Sequence, residues 1–361
     1  MIRVLPALSI GLVAASLGSA QAPTEIKAHT ALVHNVAFSP DGKLFATAGF
    51  DKTTKIYEYN AGAFKEIKTL TAHTDPVYCV AFSPDSKTLA TSSLDKTIRL
   101  WNVADGKAGV EIKGHTDIVD VIAWSPDGKQ IASGSGTADK TVRLWNPADG
   151  KEVKNLGAHG GSVYALAYSP DGKVLASSGA DNLIKIWDVP GMKLTTELKG
   201  HELGVTGLAF AGDNNTLVSI SQDRTIRVWN LSIAPPKEAP KEAPKKEEPK
   251  KEPKKDAKEP KKEEPKKEPA KEEPKGPAKD PRETKKFGPT PDDLYGVSWS
   301  KETKTIATAG YAGNISVWDL TSDKPTFTTK IKSPSYCAAF APDGKSIASG
   351  HDNGTVQFIK R

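Results

Sequence analysis

One motif returns seven times along this chain. A unit of about 40 residues cannot bury its own apolar face and must stack on neighbours like itself. Five copies open on histidine and close on an aromatic residue: His29 to Tyr57, His73 to Trp101, His115 to Trp145, His159 to Trp187 and His201 to Trp229. In each, the aromatic follows an aspartate by six positions. Two further copies, Thr290 to Trp318 and Ile331 to Phe358, keep the pattern without the histidine. The aromatic residues are spaced by 44, 44, 42 and 42 residues, then 89, then 40. A 47-residue low-complexity segment, 235–281, accounts for the long step, so it is inserted into a regular array.

Each copy is a run of short β-rich segments broken by turns. Val77 to Phe82 is followed by the turn Ser83-Pro84-Asp85-Ser86-Lys87, then Thr88 to Ser92, a turn at Asp95-Lys96, and Thr97 to Trp101. Ser-Pro-Asp-Gly-Lys recurs from Ser39, Ser125 and Ser169, and as Ala341-Pro342-Asp343-Gly344-Lys345. Proline presets one turn dihedral and glycine accepts a positive one. Strands this short at this spacing predict an all-β fold.

With its Gly114-His115 and Gly200-His201 openings and five Trp-Asp or Trp-Asn closings, the sequence resembles the WD-repeat family of β-propellers. The resemblance spans residues 24–234 and 287–361. It implies a seven-bladed propeller of four-stranded blades. Each repeat would supply three strands of one blade and the outer strand of the next. Thr24 to Ala28 looks like Val110 to Gly114 before His115, so an N-terminal strand is expected to close the ring beside Thr355 to Phe358. Closure removes free sheet edges.

The resemblance also implies a role for the histidines. In the family this histidine joins a Ser or Thr, an Asp and the Trp in a structural hydrogen-bond network. The matching sets are His73, Thr91, Asp95, Trp101; His115, Ser133, Asp139, Trp145; His159, Ser177, Asp181, Trp187; and His201, Ser219, Asp223, Trp229. The first copy has His29, Thr47 and Asp51 with Tyr57 for Trp. On paper such a set imitates a hydrolase triad, but catalysis needs one site and this set repeats at one period. In the last two copies Thr290 and Ile331 replace His and Ala312 replaces Asp, while Asp352 and Phe358 remain. Those blades are expected to be the least rigid.

Repeat position marks the variable sites as well. Five residues after the histidine position stand His34, Tyr78, Asp120, Tyr164, Thr206, Tyr295 and Tyr336. Before the network aspartate stand Phe50, Leu94, Ala138, Ala180, Gln222, Tyr311 and His351. Family members commonly contact partner peptides at these two positions. The expected partner-binding residues are therefore His34, Phe50, Tyr78, Tyr164, Tyr295, Tyr311, Tyr336 and His351. All but Tyr164 fall on blades six, seven, one and two, which are contiguous in a closed ring. His34 and His351 would make such an arc pH-responsive.

Composition narrows the function further. The 235–281 segment holds 12 Pro, 16 Lys, 11 Glu and 2 Asp and no apolar residue larger than Ala, so it reads as a disordered, solvated spacer. It carries +3 of the chain's +6; residues 282–286 add +2 and residues 1–20 add +1, which leaves the repeats neutral. Nucleic acid is therefore not an expected partner. Residues 1–20 run from Arg3 through an apolar stretch to Gly18-Ser19-Ala20, the pattern of a signal peptide cleaved after Ala20. The mature chain is expected to be exported, periplasmic or extracellular, with no membrane span. The domains are then 1–20 signal, 21–234 closing strand and blades one to five, 235–281 insert, and 282–361 blades six and seven. Cys79 and Cys337 share one repeat position on separate blades, too far apart to bridge. No Cys-x-x-Cys, His-Glu-x-x-His, phosphate loop or Gly-x-Ser-x-Gly occurs, so no metal, cofactor or catalytic residue is expected. The reading is a monomeric, non-enzymatic scaffold for an unknown protein or peptide partner. An exported propeller enzyme, or a carbohydrate or small-molecule binder using the funnel, is the alternative.

Overall fold

The computed structural model describes residues 24–60, 63–234 and 279–361. The signal reading of residues 1–20 and nearly all of the insert, 235–278, lie outside the described residues. The described chain forms seven four-stranded antiparallel sheets and no helix. Inner strands run Val33–Phe38, Val77–Phe82, Val119–Trp124, Val163–Tyr168, Val205–Phe210, Leu294–Ser300 and Ser335–Phe340. Each touches the next, and the seventh touches the first, so the blades close a ring around a central channel.

The turns follow from local chemistry. In the first blade the Ser39 hydroxyl donates to the Asp41 carboxylate at 2.6 Å and accepts from the Leu44 amide at 2.9 Å. Gly42 takes a φ of +74°, and its equivalents Gly128, Gly172 and Gly344 take +70°, +72° and +65°. Ser86 holds the same left-handed conformation in the second blade at +61°. Gly42, Gly128 and Gly172 also lie against the prolines of adjoining turns, Pro342, Pro84 and Pro126, while Gly344 lies against Ser300, Glu302 and Thr303.

The apolar core lies between blades. Ile56 and Leu70 of blade one pack with Val80, Phe82, Leu89 and Trp101 of blade two, and six further clusters repeat this arrangement around the ring. Closure is the strand pairing expected from the sequence: Thr24 opposes Phe358, Glu25 Gln357, Ile26 Val356 and Lys27 Thr355. Aromatic rings seal this junction. Phe358 stacks on Phe64 at 3.5 Å between ring centres and meets Phe45 edge-on at 5.2 Å.

The seventh blade corrects the repeat alignment by one residue. Trp101 pairs across the sheet with Leu89 and Trp318 with Ile306; in the last blade the matching partner of Ile347 is Ile359, not Phe358. Likewise Asn353 takes the aspartate position, accepting from the Thr355 amide and hydroxyl at 3.0 and 2.8 Å as Asp51 accepts from Thr53. Asp352 is an exposed neighbour of that position.

The insert interrupts the connection between strands Ile226–Asn230 and Glu283–Phe287 of blade five. In an antiparallel blade that connection lies at the end of the ring opposite the inner-strand starts. Lys279–Pro281, counted with the insert from composition, belong to the described fold: Asp280 is buried. Its carboxylate accepts from the amide and twice from the guanidinium of the buried Arg282, which also donates to Thr196 Oγ1 at 2.7 Å and Glu197 O at 2.8 Å on blade four. A charged group buried with this many partners fixes the point at which the chain re-enters the sheet.

Phe358→Ala removes the ring that packs on both Phe45 and Phe64 at the closure. It is expected to cost about 3–5 kcal/mol. Denaturant unfolding followed by tryptophan fluorescence checks this; a loss below about 1 kcal/mol would show that the strand pairing alone holds the ring.

Candidate functional site

The four complete networks have one geometry. In blade four Trp187 Nε1 donates to Ser177 Oγ at 2.8 Å, Ser177 bonds His159 Nε2 at 2.8 Å, and His159 Nδ1 lies 3.0 Å from Asp181. Because the carboxylate only accepts, Nδ1 carries the proton, Nε2 accepts, and the hydroxyl donates to it. The same chain runs through Thr91, Ser133 and Ser219. In blade one His29 reaches Thr47 at 2.7 Å and Asp51 at 2.9 Å, with no indole to complete it. Burial pushes up the carboxyl of Asp95, but its bonds from His73 and Thr97 outweigh that and hold it well below the ordinary range. Burial lowers His29, His115 and His201 despite their aspartates. All five rings are buried, so the hydroxyls are engaged internally rather than presented to a substrate.

Blades six and seven show what the substitutions change. Trp318 Nε1 still donates to Thr308 at 3.1 Å. The missing carboxylate is partly replaced by buried Asp292, which accepts from the Ala312 amide at 2.7 Å and leaves its other oxygen without a partner. In blade seven Ile331 and Ile359 replace both partners of Ser349, and its buried hydroxyl makes no hydrogen bond.

The channel face is built by a backbone irregularity that repeats seven times. His34, Tyr78, Asp120, Tyr164, Thr206, Tyr295 and Tyr336 are each the extra residue of a β-bulge, skipped in the pairing of inner strand with second strand. A bulge re-aims the side chain of its unpaired residue. All seven line one channel of about 660 Å³.

Their rings form a connected run. Tyr311 and Tyr295 are 6.0 Å apart, Tyr295 and Tyr336 6.0 Å, Tyr336 and His34 6.4 Å, and His34 and Tyr78 4.7 Å. Phe50 lies 5.5 Å from His34 and 4.8 Å from Tyr78. Tyr311 is 52% exposed and Tyr164, apart from this run, 37%. His34 Nδ1 donates to Tyr78 O at 2.8 Å, and burial lowers its pKa, so it stays neutral near pH 7.

His351 does not join the run. It is 0% exposed and pairs with Ser335, at the position held elsewhere by Gly49, Ser93, Ser135, Gly179, Ser221 and Gly310. Its Nδ1 donates to Pro334 O at 3.1 Å, tethering the preceding loop as the Ser93 hydroxyl does through Asp75 O at 3.0 Å. The one-residue slip places Asp352, not His351, beside the aromatic arc. Burial lowers the pKa of His351, so it supplies no charge near pH 7.

Among the residues lining the channel Asp120 is the one Asp, Glu, Lys or Arg. Burial, helped by the Asp117 charge, pushes its carboxyl up to about 7. Both cysteines are buried, free thiols. Among the described residues no three His, Cys, Asp or Glu side chains gather into a metal-holding group, and no helix is long and apolar enough to cross a membrane.

The family model for the WD domain, G-beta repeat, matches residues 21–58, 64–102, 106–146, 150–188, 192–230, 282–319 and 324–360. No curated protein matches the chain.

Asp120 generates a signed pH effect. Its carboxyl is protonated in the folded protein up to about pH 7 but ionises near 3.8 when unfolded. Stability is therefore lost as pH rises from about 4 to 7. Asp120→Asn abolishes that loss, and its advantage over wild type is expected to grow by on the order of 1–2 kcal/mol between pH 5 and 8. Chemical denaturation of both proteins at the two pH values measures it. An unchanged difference would place Asp120 in open solvent.

Proposed function

We propose, from the premise that this chain belongs to the WD domain, G-beta repeat family, that it is a non-enzymatic interaction scaffold. It binds a partner peptide or protein on the end of the ring where the inner strands begin. The connected aromatic run from Tyr311 through Tyr295, Tyr336 and His34 to Phe50 and Tyr78 is the observation that carries this reading. Large, preorganised rings contribute contact area at small entropic cost, which is why they dominate binding hot spots. The network side chains support a non-catalytic role: their histidines and hydroxyls bond one another inside the blades. The test is cross-linking and mass spectrometry of wild type against Tyr295→Ala/Tyr336→Ala at matched thermal stability. A specific protein captured by wild type and at least ten-fold depleted in the variant is the expected result. An identical capture profile would remove the aromatic arc as the binding face.

The scaffold is further proposed to act after export, on the signal-like pattern of residues 1–20. N-terminal sequencing of the protein isolated from its own cells is expected to begin at Gln21. A chain retaining residues 1–20 would assign it to the compartment of synthesis or to a membrane anchor.

A further inference from the structure

The channel carries a carboxyl group without a partner among the described residues. Asp120 makes no hydrogen bond or ion pair with another described residue, although the network aspartates of the blades accept several. The residues around the channel include no lysine or arginine to answer it. On the strands either side, Tyr78 and Tyr164 are the bulged residues, and both phenols feel the Asp120 charge. Asp120 is itself a bulged residue, so its side chain is re-aimed with theirs.

One carboxylate flanked by two aromatic rings selects among cations. A hydrated calcium or magnesium ion needs several oxygen ligands, and a single carboxylate does not supply them. An alkylammonium needs one counter-charge and aromatic faces beside its stem. The aliphatic wall below the mouth, including Val80, Val121 and Ile122, suits a hydrocarbon stem.

We propose that the Asp120 sector of the channel receives the ammonium group of a lysine side chain carried by the partner, the carboxylate pairing with the charge between the Tyr78 and Tyr164 rings. This rests on the scaffold reading for the source of the lysine and adds what that reading lacks, the chemistry of one anchor. It places the anchor on blades two to four, continuous through Tyr78 with the aromatic run.

The full chain is titrated with three probes, followed by tyrosine resonances in NMR: the peptide acetyl-Gly-Gly-Lys-Gly-Gly-amide, its norleucine counterpart, and choline. The lysine peptide is expected to bind about ten-fold tighter than the norleucine peptide, with the preference falling as salt rises. Asp120→Asn, which preserves shape, is expected to abolish the preference. Tyr78→Leu and Tyr164→Leu, which keep the carboxylate, are each expected to weaken lysine-peptide binding several-fold. Equal binding of the lysine and norleucine peptides, or a preference that survives Asp120→Asn, would overturn the proposal. Choline binding without lysine-peptide binding would also overturn it, and would assign the sector to a small organic cation. The two readings fail separately. Loss of captured partner in Tyr295→Ala/Tyr336→Ala with no lysine preference leaves the scaffold standing and removes the anchor. A lysine preference with capture unaffected by that double variant leaves the anchor standing and removes the aromatic run as the binding face.

Discussion

Four antiparallel residue pairs between Thr24–Lys27 and Thr355–Phe358 join the two ends of a chain more than 300 residues apart. Without them the seventh blade lacks its fourth strand, and the contact between the first and seventh inner strands loses the pairing that ties the chain's two ends together. Every blade depends on its neighbours for its core, so the geometry of the channel is a property of the closed ring rather than of any blade. The stack of Phe64 on Phe358 reinforces the junction where no covalent connection runs along the inner strands.

The fold was legible because its causes are local and repeated. The Ser-Pro-Asp-Gly turn, the histidine-to-tryptophan spacing and the resemblance of Thr24–Ala28 to Val110–Gly114 each state a structural instruction in a few residues. Legibility ended where an instruction was absent. In the last blade Ile331 and Ile359 leave no histidine or tryptophan to set the register, and Phe358 drew the alignment one residue short. That slip put His351 on the arc when the sheet buries it. The seven bulges were not visible either, because a bulge is defined by what the partner strand does. Their positions were read correctly as a repeat offset without the backbone reason. Asp292 and the Asp280–Arg282 clasp were missed for a simpler cause: each lies beside a departure from the repeat, where composition or an absent motif residue dominated the reading.

Two kinds of aspartate share this ring and show how context divides one residue type. The network aspartates sit among donors and are held as anions. Asp120 sits among rings and aliphatic side chains, so its charge is costly. The contrast separates residues that serve the blade from one that does not, although all lie on the same repeating frame.

The bulges have a consequence for how such a frame can change. Across the seven inner strands the residue before the bulge is Val in five cases, with Leu294 and Ser335 in the others, and it faces a strand partner each time. The bulged residue has no such partner, and within this one molecule it is histidine, aspartate, threonine or tyrosine. A position excused from cross-strand pairing can be rewritten without renegotiating the sheet. The ring therefore separates two problems that most binding sites solve together. Seven side chains can be exchanged one at a time to alter what the channel accepts, while the residues that keep the blades assembled stay as they are.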